Sequence, residues 1–117
     1  MFAIFENEAG KIIIDKEVIA KIAGVIAMSC YGVVGMASRN MKDGFVKLLG
    51  FENLTRGIEV EINDNKVNIK LHIIVEYGTN ISAIGESLIS TVKYKLEHLI
   101  GLEVENINLL VEGLRVE

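Results

Sequence analysis

One stretch constrains the fold more than any other. Between residues 58 and 77, apolar and polar side chains alternate almost without interruption. Ile58, Val60 and Ile62 interleave with Glu59, Glu61 and Asn63. Val67, Ile69, Leu71, Ile73, Val75 and Tyr77 interleave with Asn68, Lys70, His72, Ile74 and Glu76. A period of two sends successive side chains to opposite faces and marks half-buried strands. Asn63-Asp64-Asn65-Lys66 links the two runs. A two-residue turn at Asp64-Asn65 pairs Ile62 with Val67, Val60 with Ile69 and Ile58 with Leu71, and sets Glu59 opposite Lys70. A slip of one residue would turn the whole apolar set to the wrong face. Asn and Asp tolerate the positive φ that such a turn requires. The stretch is therefore predicted as a tight antiparallel hairpin with one face committed to a core.

The remaining elements are read around that hairpin. Lys11-Ile12-Ile13-Ile14 after Gly10 reads as a first strand. Asp15 is placed to cap a helix over 16–29 by accepting from an orphan backbone N–H. Val18, Ile22, Val25 and Ile26 recur there at helical spacing and are expected to form its buried stripe. Residues 31–38 read as a second strand, whose Gly32 and Gly35 point to a bulge or a close backbone approach. Within 39–56, Phe45, Leu48 and Leu49 fall on one helical face before Gly50, so a loop with one short helix is expected. Thr79-Asn80 opens a longer helix with a stripe of Ile81, Ile84, Leu88, Val92, Leu96 and Leu99, ended by Gly101 at the C′ position. The last strand covers 104–116, with Ile107, Leu109 and Val111 on one face. The apolar parity then changes, which places a bulge at Glu112-Gly113. The result is an α+β two-layer sandwich, mainly antiparallel, in the order β-α-β-β-β-α-β. Both helices lie on one face of the sheet and the other face is polar.

Composition sets the outer bounds. A chain of 117 residues, half of them apolar, makes one domain over 1–117, and about two-thirds of its surface is buried on folding. Twelve basic against sixteen acidic residues give a net charge of −4, which argues against a general nucleic-acid binder. The single cysteine, Cys30, excludes an intramolecular disulfide and a cysteine metal cluster. The apolar N-terminus is too short for a signal-peptide core, and no apolar run reaches membrane-spanning length. A cytoplasmic location without direct membrane insertion is the expectation.

The case for chemistry is nearly empty. His72 points outward from its strand, and a metal would need partners on that face. Glu76, four residues on, is about 13 Å away along a strand. No metal or other cofactor is expected. His98 lies near the end of the long helix, where an imidazole suits the helix dipole. Cys30 follows a helix C-terminus, the wrong end for lowering a thiol pKa, and reads as a small packed residue. Gly32-Val33-Val34-Gly35 lacks the rest of a phosphate-binding fingerprint. No nucleophile, base and orienting group come together, so no catalytic residue is assigned.

Charge is uneven along the chain. Residues 39–56 carry four basic and two acidic groups, a net +2, and residues 97–117 carry one basic and five acidic, a net −4. The basic segment also holds Phe45, Leu48, Leu49 and Phe51. A basic, apolar loop on one molecule meeting the acidic end of another gives head-to-tail self-association. Outward-facing Ile74 offers a competing symmetric surface. These five residues are the candidate protein-interaction set.

Several segments in order carry a family resemblance: Gly-Lys-Ile-Ile-Ile-Asp at 10–15, Cys-Tyr-Gly-Val-Val-Gly-Met at 30–36, Lys-Asp-Gly-Phe-Val-Lys-Leu-Leu-Gly at 42–50, Val-Glu-Tyr-Gly at 75–78 and Val-Glu-Gly-Leu-Arg-Val at 111–116. The chain resembles the alkaline-shock-protein family of Gram-positive bacteria, the cell-envelope stress response family, and is most similar to its YloU-like branch. The resemblance covers about residues 10–116. It implies a cytoplasmic, non-enzymatic scaffold or adaptor serving envelope homeostasis. Some relatives self-associate and are held at the membrane by an integral-membrane anchor partner, so a homo-oligomer and such a partner are expectations here. It supplies no catalytic residues. The alternatives are an RNA-binding module, with nucleic acid disfavoured by the acidic balance, and a small-ligand regulatory domain.

Overall fold

The computed structural model describes residues 2–37, 48–49 and 57–116. The predicted hairpin is its spine. Strand β5 (Ile58–Asn63) pairs antiparallel with β6 (Lys66–Glu76) in the expected register, Ile62 with Val67, Val60 with Ile69, Ile58 with Leu71 and Glu59 with Lys70. Asp64 and Asn65 take positive φ, 51° and 60°, which matches the strand twist in a two-residue turn. Val67, Leu71, Ile73 and Val75 are fully buried and Ile69 nearly so. Each contributes about 1.5–3 kcal/mol by leaving water.

Strand β6 is flanked on both sides. Strand β7 (Glu103–Arg115) runs parallel along its whole length. The opposite edge is shared end to end by β5 and by β3 (Val33–Ala37), which pairs antiparallel with Val75, Ile74 and Ile73. Where those two strands meet, Gly57 packs so closely that a Cβ would lie 2.6 Å from the carbonyl oxygen of Ala37. The register shifts between Val33 and Gly35, the bulge that the glycines announced. A second irregularity sets Ile73 opposite Val111 but Ile74 opposite Gly113, so Glu112 is the extra residue of the expected bulge.

Both helices cover one face. Helix α1 (Lys16–Met28) is capped by Asp15, whose Oδ1 accepts from the Glu17 N–H at 3.0 Å. Its buried face differs from expectation. Val18 and Val25 are exposed, and Ile19, Ala20, Ala23, Gly24, Ile26 and Ala27 are buried. The helix turns its smallest residues inward, which brings its backbone close to the sheet and to α2. Helix α2 (Ile81–Ile100) starts at Asn80, whose side chain accepts from the Ala83 N–H, and stops at Gly101 with φ 74°. Ile84, Leu88, Val92, Leu96 and Ile100 form its buried stripe. Ile81 and Leu99, assigned to that stripe from sequence, are exposed because they sit a turn too early and a residue off its line.

Two strands were not expected. Strand β1 (Phe2–Asn7) pairs with β2 (Gly10–Asp15) as a separate hairpin, so the Lys-Ile-Ile-Ile strand lies outside the main sheet. Strand β4 (Leu48–Leu49) pairs antiparallel with Met36 and Ala37. The short helix is therefore overturned at Leu48 and Leu49, whose backbone instead satisfies hydrogen-bonding groups on the edge of β3. Phe45 and Phe51 lie outside the described residues. The architecture is the α+β two-layer arrangement, with one parallel strand pair in an otherwise antiparallel sheet.

Candidate functional site

The face of the sheet away from the helices carries the most polar chemistry. Side chains of β6 alternate, so Leu71 and Ile73 face the helices and His72 faces away. His72 is only 6% exposed. Its Nε2 lies 2.9 Å from Oε2 of Glu59 on β5, and its Nδ1 lies 2.5 Å from Oε1 of Glu112 in the β7 bulge. Carboxylates accept hydrogen bonds, so a ring with a proton on each nitrogen satisfies both contacts. The bulge does the positioning, since an extra residue re-aims a side chain that regular pairing would send elsewhere. Asn68 and Asn106 extend this polar face: the amide of Asn106 donates to Asn68, and that of Asn68 donates to Glu105.

Neither partner of His72 lies on its own strand, so spacing along β6 does not show them. Glu59 was findable, since pairing with Lys70 places it diagonal to His72. Glu112 was not, because its aim depends on the bulge geometry. This cluster joins three strands through the contacts of one imidazole with two carboxylates. It lacks a nucleophile: Cys30 packs against the core on the helix side, its Sγ donating to the Ile26 carbonyl. Burial pushes the Cys30 thiol pKa up, against a smaller downward pull from Lys95, the opposite of what a reactive thiolate needs. His98 stacks on Tyr94 in the last turn of α2 with ring centroids 6.4 Å apart. Among the described residues no group of three or more donors is arranged to hold a metal ion.

The sequence-predicted interaction set is not assembled by the described residues. Leu48 and Leu49 form β4, Phe45 and Phe51 lie outside the described residues, and Ile74 is buried at 7% exposure where an outward surface was expected. Ile74 shares its face with His72, so facing away from the helices did not mean facing water.

Among the described residues, the most exposed apolar cluster on a strand pair is the β1–β2 hairpin. Phe2, Ile4 and Ile13 point to one side and are 44–58% exposed, and Ile12 on the other side is 63% exposed. Ala3 is fully buried, and Phe5 and Ile14 pack partly against the core. The hairpin is therefore docked by one face and bare on the other. Its latch is Asn65, whose side-chain amide accepts from the Ile4 N–H at 3.3 Å and donates to the Ile4 carbonyl at 2.9 Å. No described helix is long and apolar enough to cross a membrane.

A profile of the alkaline shock protein 23 family, described as having a cell envelope-related function, matches residues 5–116. The chain is 45% identical over 108 residues to the uncharacterised protein YloU of Bacillus subtilis strain 168, covering 92% of this chain and 90% of that one. It is 28% identical over 112 residues to the uncharacterised protein YqhY of the same strain, covering 96% and 82%. A protein of Streptococcus pyogenes serotype M3 named stress response regulator gls24 homolog is 28% identical over 111 residues, covering 92% of this chain and 60% of its own length. No solved structure matches.

Proposed function

The chain belongs to the alkaline shock protein 23 family, whose function is cell envelope-related, and from that membership we propose that it is a non-enzymatic adaptor acting by self-association and by binding protein partners. The observation that carries this reading is the bare hairpin: four large apolar side chains, each 44–63% exposed, on a docked two-stranded unit. Such clusters on soluble domains mark interaction surfaces. A membrane-held protein is the partner class that suits an envelope-related role in a chain none of whose described helices is long and apolar enough to cross a bilayer itself. Nucleic acid suits the surface poorly, because the sheet face away from the helices carries the carboxylates of Glu59, Glu105 and Glu112.

In-cell crosslinking followed by membrane fractionation tests this. The expected result is a chain that sediments with membranes through a crosslinked protein and is released when that protein is removed. A chain recovered free of membranes, with no crosslinked protein and no self-association, overturns the adaptor reading. A Cys30→Ser, His98→Ala variant is expected to retain the biological role. Loss of the role in that folded variant would point to chemistry instead.

A further inference from the structure

Strand β2 is a sheet edge that no described strand covers. Its hairpin is a two-stranded sheet, and no described residue pairs with its outer side. The sequence on that edge, Lys11-Ile12-Ile13-Ile14-Asp15, is short, strongly β-prone and apolar at its centre. Exposed edges of this kind recruit another strand unless charge, proline or a covering element blunts them. Charge sits only at the two ends of this one, and the two charges are opposite.

The direction of its free backbone groups follows from β1. Both the N–H and the C=O of Ile4 are taken by the Asn65 side chain, so they point away from β2. Ile4 and its partner Ile13 are then a pair without ladder bonds between them. The N–H and C=O of Ile13 accordingly point out of the free edge, and the same parity applies to Lys11. An antiparallel two-fold centred on Ile13 brings those groups together with their own copies. In that register Ile13 faces Ile13, Ile12 faces Ile14, and Lys11 faces Asp15, the last two pairs occurring twice. Outward backbone groups, apolar side chains and opposite charges all agree on one alignment. Moving the two-fold by one residue sets Lys11 or Asp15 opposite Ile13 and loses the charge pairing, and moving it by two sets Lys11 against Lys11 or Asp15 against Asp15, which like-charge repulsion disfavours.

We infer that β2 is a homodimerisation edge: two copies of this chain join antiparallel through it, with Ile13 on the two-fold axis, into a four-stranded sheet of two hairpins. The interface is isologous and closes at two copies. It lines up Ile4, Ile13, Ile13 and Ile4 across the outer face and covers Ile12, the most exposed of the hairpin's apolar residues, with the partner's Ile14. The inference rests on the adaptor reading and names the surface and the partner of its self-association.

Cysteine crosslinking under mild oxidation tests the register, in a Cys30→Ser background. Directly opposed hydrogen-bonded residues have Cα atoms about 5.5 Å apart, within disulfide reach. Ile13→Cys is expected to form a covalent dimer rapidly. Ile4→Cys, comparably exposed, is not, because three strand spacings place the two copies about 14 Å apart. Light scattering is expected to give twice the 12.9 kDa chain mass at high concentration. Ile13→Lys, which opposes two like charges on the axis, should raise the dimer dissociation constant at least about tenfold while circular dichroism stays unchanged. Equal crosslinking at both positions, a monomeric wild type, or a dimer indifferent to Ile13→Lys overturns the inference. In the last case self-association, and with it the adaptor reading, survives on another surface.

Discussion

His72 and Cys30 show what burial does to the two residue types most often suspected of chemistry. His72 is held between a well-covered carboxylate and a more exposed one: the Glu112 side chain is 23% exposed and that of Glu59 is 43%. Water can replace a lost Glu59 more easily than a lost Glu112. Glu112→Ala is therefore expected to destabilise by about 1–3 kcal/mol, the cost of stranding a buried ring nitrogen. Glu59→Ala should cost under about 1 kcal/mol, as exposed ionic contacts do. Urea denaturation separates the two, and equal losses would show that the bulge gives Glu112 no special position. For Cys30 the folded chain holds the thiol proton more tightly than the unfolded chain does. Its contribution to stability is present below the unfolded thiol pKa and is lost as pH rises through the folded one. Iodoacetamide at pH 8 should modify Cys30 several-fold more slowly than a free peptide thiol, because less thiolate is present. Modification at the free-thiol rate would contradict that burial.

Among the elements, the 58–76 hairpin was fully legible and its phase makes a direct prediction. Leu71 is fully buried and its neighbour Lys70 is exposed on the other face. Leu71→Ala should cost about 2–5 kcal/mol and Lys70→Ala under about 1 kcal/mol in urea unfolding. Similar losses at the two positions would mean that the strand phase is wrong. That hairpin could be read because alternation, turn chemistry and cross-strand charge agreed on one register. Helix α1 and its Asp15 cap could be read too, but its buried face could not, because four of its six buried residues are Ala20, Ala23, Gly24 and Ala27, which carry little hydrophobic weight beside Val18 and Val25. Small residues are chosen there for approach, and Ala23→Leu should destabilise by about 1–3 kcal/mol through overpacking, where Val18→Ala is nearly neutral. Strand β1 is hard to see in the sequence because Phe2–Phe5 is a short apolar N-terminal run that fits a targeting segment as well as a strand, and β4 because two leucines before a glycine fit a helix end as well as an edge strand. The polar cluster was half legible: the hairpin register reaches Glu59, but only the three-dimensional bulge aims Glu112 at His72.

At the scale of the whole molecule, the topology ranks the strands by how they can open. Strand β6 is bonded on both sides, to β7 along its full length and to β5 and β3 in turn, and its inward residues are buried under both helices. Its amides can exchange with solvent only when the domain unfolds. The β1–β2 hairpin touches the rest of the fold through one face and through the Asn65 latch, so it can detach while the core persists. Hydrogen exchange on dilute protein should show residues 67–75 as the most protected block and residues 2–14 as far less protected. Asn65→Gly keeps the positive φ of the turn but removes the latch. It should speed exchange in residues 2–7 while leaving residues 67–75 within a few-fold of wild type. A hairpin as protected as β6 at low concentration, or one indifferent to Asn65→Gly, would show that it is an integral part of the core. Concentration then gives a second reading from the same measurement. If the free edge of β2 pairs with a second copy, the outward-pointing amides of Lys11 and Ile13 gain protection as concentration rises. The inward-pointing amides of Ile12 and Ile14 are already bonded to β1 and gain less. That alternation along one short strand distinguishes edge-to-edge pairing from a general slowing of hairpin opening, which would protect all four amides alike.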